Sequence, residues 1–392
     1  MAKDQSVVPI VEYDHRDEES HASPWERWKR MRHDHPVVYS DVYGGFYALT
    51  RYRDLADASR NPEVFSSAID KITIPSQPTA DMPPIHCDPP EARPYREIIN
   101  PYFSPAKVAG YEAWMQETVA DAVDPLLAST AFDLPRDLGV PLSRQIILEI
   151  LGLANAPAEV HQWTSDLILE VDERASNANE NLVSYLSAEL DRRRNCPGDG
   201  VFGAMITQRW KLEDRTLRDD EILGMTMLLL TAGLETTSSA LSAAVCYLID
   251  HPEAVTRLAA EPKIWGSAME EFVRWSTPVT GLARTTRYDT EVAGCPIPAG
   301  AHVMLLYGSG NRDERAFPDP DEVILDRFPN RHLAFGMGPH RCAGSHLAKA
   351  QMRLTIKRML PSLGDWCIED PAKIRWSAGS TRGMSSVPLV RK

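Results

Sequence analysis

The stretch Phe335-Gly336-Met337-Gly338-Pro339-His340-Arg341-Cys342-Ala343-Gly344 decides how this chain is read. Glycines at 336, 338 and 344 permit positive φ and let the backbone approach a flat ligand closely. A helical pattern starts just after Cys342 and stops at Pro361, so backbone N–H groups and the positive end of a helix dipole face the sulfur. Both favour thiolate over thiol. A dinucleotide-binding reading fails, because Arg341 stands where the third glycine belongs and no Rossmann strand pattern precedes it. Cys87, Cys196, Cys246, Cys295 and Cys367 read as ordinary packing residues.

Upstream, residues 219–250 form one long helical run, about 45 Å in length, ending at His251-Pro252. Its middle is apolar all round, the mark of a buried helix. Ala232-Gly233-Leu234-Glu235-Thr236-Thr237 breaks that pattern with a carboxylate, hydroxyls and a helix-weakening glycine. On residue type alone two readings stand: a functional acid–alcohol pair, or a threonine bonded to the carbonyl one turn back. Glu271 and Arg274 share a helix face at i and i+3, a spacing that by itself means little, since most such pairs are exposed.

The rest of the chain is mainly helical with small β patches. Pro24 to Arg32 reads as a short helix, and Val37–Ser40 and Gly45–Thr50 as strands around Tyr43-Gly44-Gly45. Residues 66–90, rich in proline, read as a long binding loop. Residues 284–305 turn strand-like, and a strand-rich tail follows Pro361. With no linker pattern, one domain over residues 1–392 is expected, residues 1–22 forming a loosely held arm. Among 392 residues, 43% are hydrophobic and 25% charged, an ordinary globular balance. The net charge of −13 argues against a nucleic-acid partner. Scattered cysteines without a CxxC pair, no signal-like N-terminus and no uninterrupted apolar span predict a cytoplasmic protein without a membrane anchor.

The cysteine loop, with Ala232–Thr237 and Glu271–Arg274 upstream in that order, resembles the cytochrome P450 superfamily in its soluble bacterial form. The resemblance extends to His86-Cys87-Asp88-Pro89-Pro90-Glu91, Asn311-Arg312-Asp313-Glu314, Phe317-Pro318-Asp319-Pro320 and Ser385–Val390. It implies a mainly α fold with small sheets, triangular in outline, one haem b lying between the long central helix and the cysteine-loop helix. By resemblance Cys342 is the iron ligand, Phe335 packs beside it, and Ala232 and Gly344 border the haem. Arg96, Arg284 and His340 match propionate-binding positions, and Glu271 and Arg274 a buried structural pair. Where many members of the family carry His four residues before Arg96, this chain has Ala92, and Pro94 enters the same helix.

The resemblance further implies a monooxygenase that activates O2 with two electrons from NAD(P)H, delivered by a separate ferredoxin and ferredoxin reductase. It hydroxylates, or otherwise oxidises or demethylates, a small organic substrate. Glu235 and Thr236 match the pair that delivers protons. Rival readings on the same fold are a peroxide-driven peroxygenase, which typically lacks that pair, and a non-catalytic haem sensor or carrier. The substrate pocket is expected near Leu228, Thr231, Val279, Thr280, Leu282, Ser380 and Thr381, together with the 66–85 loop and the segment near 165–185. The polar members hint at a compact substrate bearing an oxygen function. Lys349, Arg353, Lys357 and Arg358 form a basic stripe on the helix after Cys342, read either as a docking site for an acidic ferredoxin or as a solvated face.

Overall fold

The apolar run at 219–250 becomes the helix around which the chain is wrapped. In the computed structural model, which describes residues 8–76, 80–169, 173–377 and 381–392, it comprises Asp219–Ala232 and Leu234–Asp250. Asp219, Asp220 and Glu221 complement the dipole at its start, and Glu221 also accepts a hydrogen bond from the Arg218 amide at 2.7 Å. The run is long and apolar enough to cross a membrane, but 61% of its most apolar window is buried against other helices. It differs from the single uninterrupted helix expected from sequence at Gly233. There the Ala232 carbonyl accepts the Thr236 hydroxyl at 2.7 Å, so a side chain competes with the backbone ladder where glycine already weakens it.

Helices Pro105–Leu127, Val140–Leu151, Trp265–Ser276 and Ser345–Met359 supply most of the surrounding core. A five-stranded sheet lies to one side, in the order Val37–Ser40, Phe46–Leu49, His302–Leu305, Leu282–Thr286, Phe65–Ser66. Only the pairing of His302–Leu305 with Phe46–Leu49 is parallel. In the tail, Trp366–Ile368 and Pro388–Arg391 pair antiparallel, and the latter also pairs with Ala131–Asp133, a strand inside a region the sequence pattern reads as mostly helical.

The loosely held arm is corrected for residues 8–22. Val11 N–H donates to Tyr39 O at 2.8 Å and Tyr39 N–H to Pro9 O at 2.9 Å, extending the sheet edge. Tyr13, His15 and His21 are buried, and Asp17 caps the short helix Glu18–Ala22 while pairing with Arg27. The polar composition concealed this, because the segment is held by backbone bonds to Tyr39 and by buried Tyr13, His15 and His21.

Glu271 and Arg274 are both fully buried and joined by two hydrogen bonds of 2.7 and 2.8 Å. Arg327, not singled out by the sequence reading, also bonds Glu271, at 3.0 Å. Arg274 further donates to the carbonyls of Asn311, Pro320 and Glu322, so one helix face fixes the whole 311–327 segment that leads into the cysteine loop. Removing the shared carboxylate leaves two buried guanidiniums uncompensated, at a cost of about 3 kcal/mol or more. Glu271→Gln is therefore expected to lower the urea unfolding midpoint markedly, followed by far-ultraviolet circular dichroism; an unchanged midpoint contradicts this account.

Candidate active site

The cysteine loop is closed by Cys342 N–H donating to Phe335 O at 2.8 Å. Gly336 and Gly338 take φ of +64° and +70°, and a Cβ on Gly338 would stand 2.4 Å from Ser59 O, so only glycine fits there. The Cys342 sulfur receives the backbone N–H groups of Gly344 and Ser345. Burial pushes the thiol up, against those amides and the charges of Arg96 and Arg341, and burial prevails. Its accessible surface opens onto an interior cavity, so a cation placed there is what this sulfur lacks as a thiolate.

The cavity has two facing walls. Leu228, Ala232, Gly233, Thr236, Thr237 and Ala240 of the central helix form one, and Phe335, Gly336, Cys342, Ala343, Gly344 and Leu347 the other. Arg96, Arg284 and His340 stand at its edge. Leu282 and Arg284 both line it, as the two-residue period of their strand requires.

These three edge residues have donors to spare. Arg96 Nε and His340 Nδ1 are buried without a hydrogen-bond partner. Arg284, 4% exposed, gives one N–H to Ala283 O at 2.7 Å. Burial, with the charges of Arg284 and Arg96, pushes His340 down to about 4, so its ring is neutral at pH 7. Unused donors in a protein interior are costly, and a group carrying two carboxylates relieves that cost. A thiol on one wall and cationic donors at the edge thus fit a haem with its iron and two propionates. Pro94 does not disturb this arrangement: it sits in the first turn of helix Ala92–Phe103, where no intrahelical donor is required, and Arg96 still reaches the cavity. Ala92 is buried and does not line the cavity.

A supporting relay escaped the sequence reading. Ser67 Oγ lies 3.0 Å from His340 Nε2 and bonds Asp88, which also accepts from Ser66 and from Arg287 at 2.6 Å. Burial would raise the Asp88 carboxyl, but those hydrogen bonds hold it below its usual range. The Asp-Pro-Pro segment was the available signal; its partners lie in other segments of the chain.

Of the expected pocket residues, Leu228, Val279 and Leu282 line the cavity, joined by Pro84 and Ile85 from the proline-rich loop. Thr231 and Thr280 do not, and the Thr231 hydroxyl is taken by Met227 O at 2.8 Å. Thr381 donates to Glu235 at 2.9 Å and is likewise not on the wall. Ser380 and part of the 165–185 segment lie outside the described residues, and the described part of that segment does not line the cavity. The inferred oxygen-bearing substrate loses its basis, because the described polar groups that suggested it are turned elsewhere. Thr236 lines the cavity, while the Glu235 carboxyl faces away from it. The basic stripe is partly neutralised within the chain: Lys349 pairs with Glu270, Arg353 with Glu112 and Arg358 with Asp124, and Lys357 lies over the Trp265 ring.

A family profile described as Cytochrome P450 matches residues 141–363. The steroid C26-monooxygenase of Mycolicibacterium smegmatis is 32% identical, over 93% of this chain and 92% of that protein. The linalool 8-monooxygenase of Pseudomonas putida is 30% identical, over 85% and 87%. A Mycobacterium marinum cytochrome P450 solved in complex with pseudoionone superposes with a TM-score of 0.88 at 28% identity, covering 98% of this chain and all of that one. With a profile match over more than half its length and this identity along nearly all of it, the chain belongs to the cytochrome P450 family.

Proposed function

We propose that this P450 monooxygenase holds one haem b, with Cys342 as the thiolate ligand and Arg96, Arg284 and His340 on the propionates, and hydroxylates an apolar small molecule. The observation that carries this reading is the convergence on one interior cavity of an amide-supported thiol, Arg284, and the partnerless nitrogens of Arg96 and His340. Bound haem supplies dioxygen activation and the oxidising chemistry. The chain's share is binding, orientation and the control of water and protons. Leu228, Val279, Leu282, Pro84 and Ile85 exclude water from the substrate side and favour a hydrocarbon surface. The names of the relatives, a steroid and a linalool oxygenase, lie in the same direction.

Thr236 gives its hydroxyl hydrogen to Ala232 O, which leaves its lone pairs free to accept a hydrogen bond from a water in the cavity. Glu235, the next residue back, is the proton source. Electrons come from NAD(P)H through a ferredoxin and its reductase, in the cytoplasm, docking over the face of helix Ser345–Met359. That face carries the exposed Phe328 beside Arg331, His346, Lys349 and Arg353.

Cys342→Ser is expected to abolish the red-shifted carbon monoxide band of the reduced protein, and a mutant retaining it refutes the ligand assignment. In Thr236→Ala, NADH consumption should continue while peroxide replaces much of the product; unchanged product per NADH assigns Thr236 to the helix alone. The double variant Lys349→Glu with Arg353→Glu sets two negative charges beside Glu270 and Glu112. Ferredoxin should then reduce the haem several-fold more slowly at low salt, the difference fading as salt rises. Dithionite reduction should not change, and a wild-type ferredoxin rate moves the docking site elsewhere.

A further inference from the structure

Glu235 precedes Thr236 on the central helix, yet its carboxyl is held from outside the cavity by the hairpin that pairs Arg375–Trp376 with Met384–Ser386. Thr381 Oγ1 donates to Glu235 Oε1 at 2.9 Å. The Ser377 hydroxyl lies beside them and closes the hairpin, donating to Gly383 O at 3.1 Å and accepting from Gly383 N–H at 3.0 Å. One turn along the helix, the Ser239 hydroxyl is buried with no partner. All three oxygens crowd one place in the hairpin: a Cβ on Gly383 would lie 2.6 Å from Ser377 Oγ and 2.7 Å from both Glu235 Oε1 and Ser239 Oγ. Any side chain at 383 would push the carboxyl aside. The hairpin is also tied to the cavity wall, since Thr381 bridges Val279 and Arg382 N–H donates to Pro278 O.

The chemistry of these partners matters. Burial raises the Glu235 carboxyl, and the forces opposing it are the hydroxyl hydrogen bonds of Ser377 and Thr381. A basic partner would hold the group ionised. A hydroxyl serves both states, donating to a carboxylate and accepting from a carboxylic acid. Such a partner leaves the proton free to be gained or lost.

We propose that Thr381 is a positioning residue for proton delivery, holding Glu235 at the outer end of its path, with Ser377 and Gly383 shaping the place the carboxyl occupies. This rests on the role given to Glu235 above. In the step, the Glu235 O–H bond breaks and its proton passes toward the water at Thr236. The carboxylate is recharged when a hairpin hydroxyl gives it a hydrogen and takes one from solvent. Thr381 is half-buried and so within reach of solvent for that exchange.

The test uses the holoenzyme with ferredoxin, reductase and NADH, together with infrared difference spectra of the ferric protein in H2O and D2O. Glu235→Gln should remove one protonated-carboxyl band and slow NADH consumption. Thr381→Val should shift that band to higher frequency and slow consumption about fivefold, the worth of one hydrogen bond. Thr381→Ser should restore both, and Gly383→Ala should reproduce the loss. All variants should keep the carbon monoxide band. If Glu235→Gln is slow but Thr381→Val and Gly383→Ala match the wild type in band and rate, the hairpin has no positioning role and the proposal falls. If Glu235→Gln itself runs at the wild-type rate, Glu235 is not the proton source and the reading beneath the proposal falls with it.

Discussion

A guanidinium inside a protein costs several kcal/mol unless something answers its charge. Arg274, Arg312 and Arg327 are answered by carboxylates or carbonyls of this chain. The half-buried Arg96 has a buried, idle Nε, and the same cavity is lined by Arg284 and the neutral His340. The chain thus leaves a defined deficit around one cavity, and the rest of the structure keeps that deficit in place. The same reasoning applies to Cys342, whose burial outweighs the help of two amides and two guanidiniums. Both deficits have the sign that a metal with two appended carboxylates reverses. Binding and folding are then coupled, because a chain that keeps partnerless donors inside is stabilised by whatever fills the space.

Rigidity comes from opposite ends of the sequence. The Glu271 network clamps the segment entering the cysteine loop, while Asp88 clamps the strand end at Ser66 and Ser67, through which His340 is held. These two clamps do different work. The first is fully buried and fixes backbone carbonyls; the second orients one ring by a single hydroxyl. Losing the first is a folding defect, whereas losing the second leaves the fold and loosens one donor.

The cysteine loop was legible because its residues are consecutive, and its glycine torsions are local consequences of that order, whereas the close approach of Gly338 to Ser59 is set by the fold. Buried status for Glu271 and Arg274 came only through resemblance, since their spacing fits any exposed helix equally well. Arg327, Ser67 and Arg287 were missed because each acts on a residue tens to hundreds of positions away. The polar pocket failed for a related reason: residue type says that Thr231 and Thr381 carry hydroxyls, not which way those hydroxyls turn. Thr381 meets Glu235 across 146 residues, and no periodicity reports that contact. The carboxylates that pair with the basic stripe were hidden in the same way, lying on other helices.

The two alternative readings of the Gly233–Thr236 segment turn out not to compete. Thr236 does bond the carbonyl one turn back, as the structural reading held. That bond uses the only hydrogen the hydroxyl has, and so fixes it as an acceptor toward the cavity. A threonine free of the carbonyl would rotate and present either role. The local cost of weakening the ladder at Gly233 therefore gives the hydroxyl a single orientation. An acceptor of that kind needs a donor to supply it, and on the proposed reading that donor is the carboxyl at the preceding position, turned the other way. Adjacent residues on a helix project about 100° apart, so one side chain can face the cavity while the other faces the hairpin. On the proposed reading the helix itself separates the proton's source from its destination, so that delivery does not depend on bulk water entering the cavity.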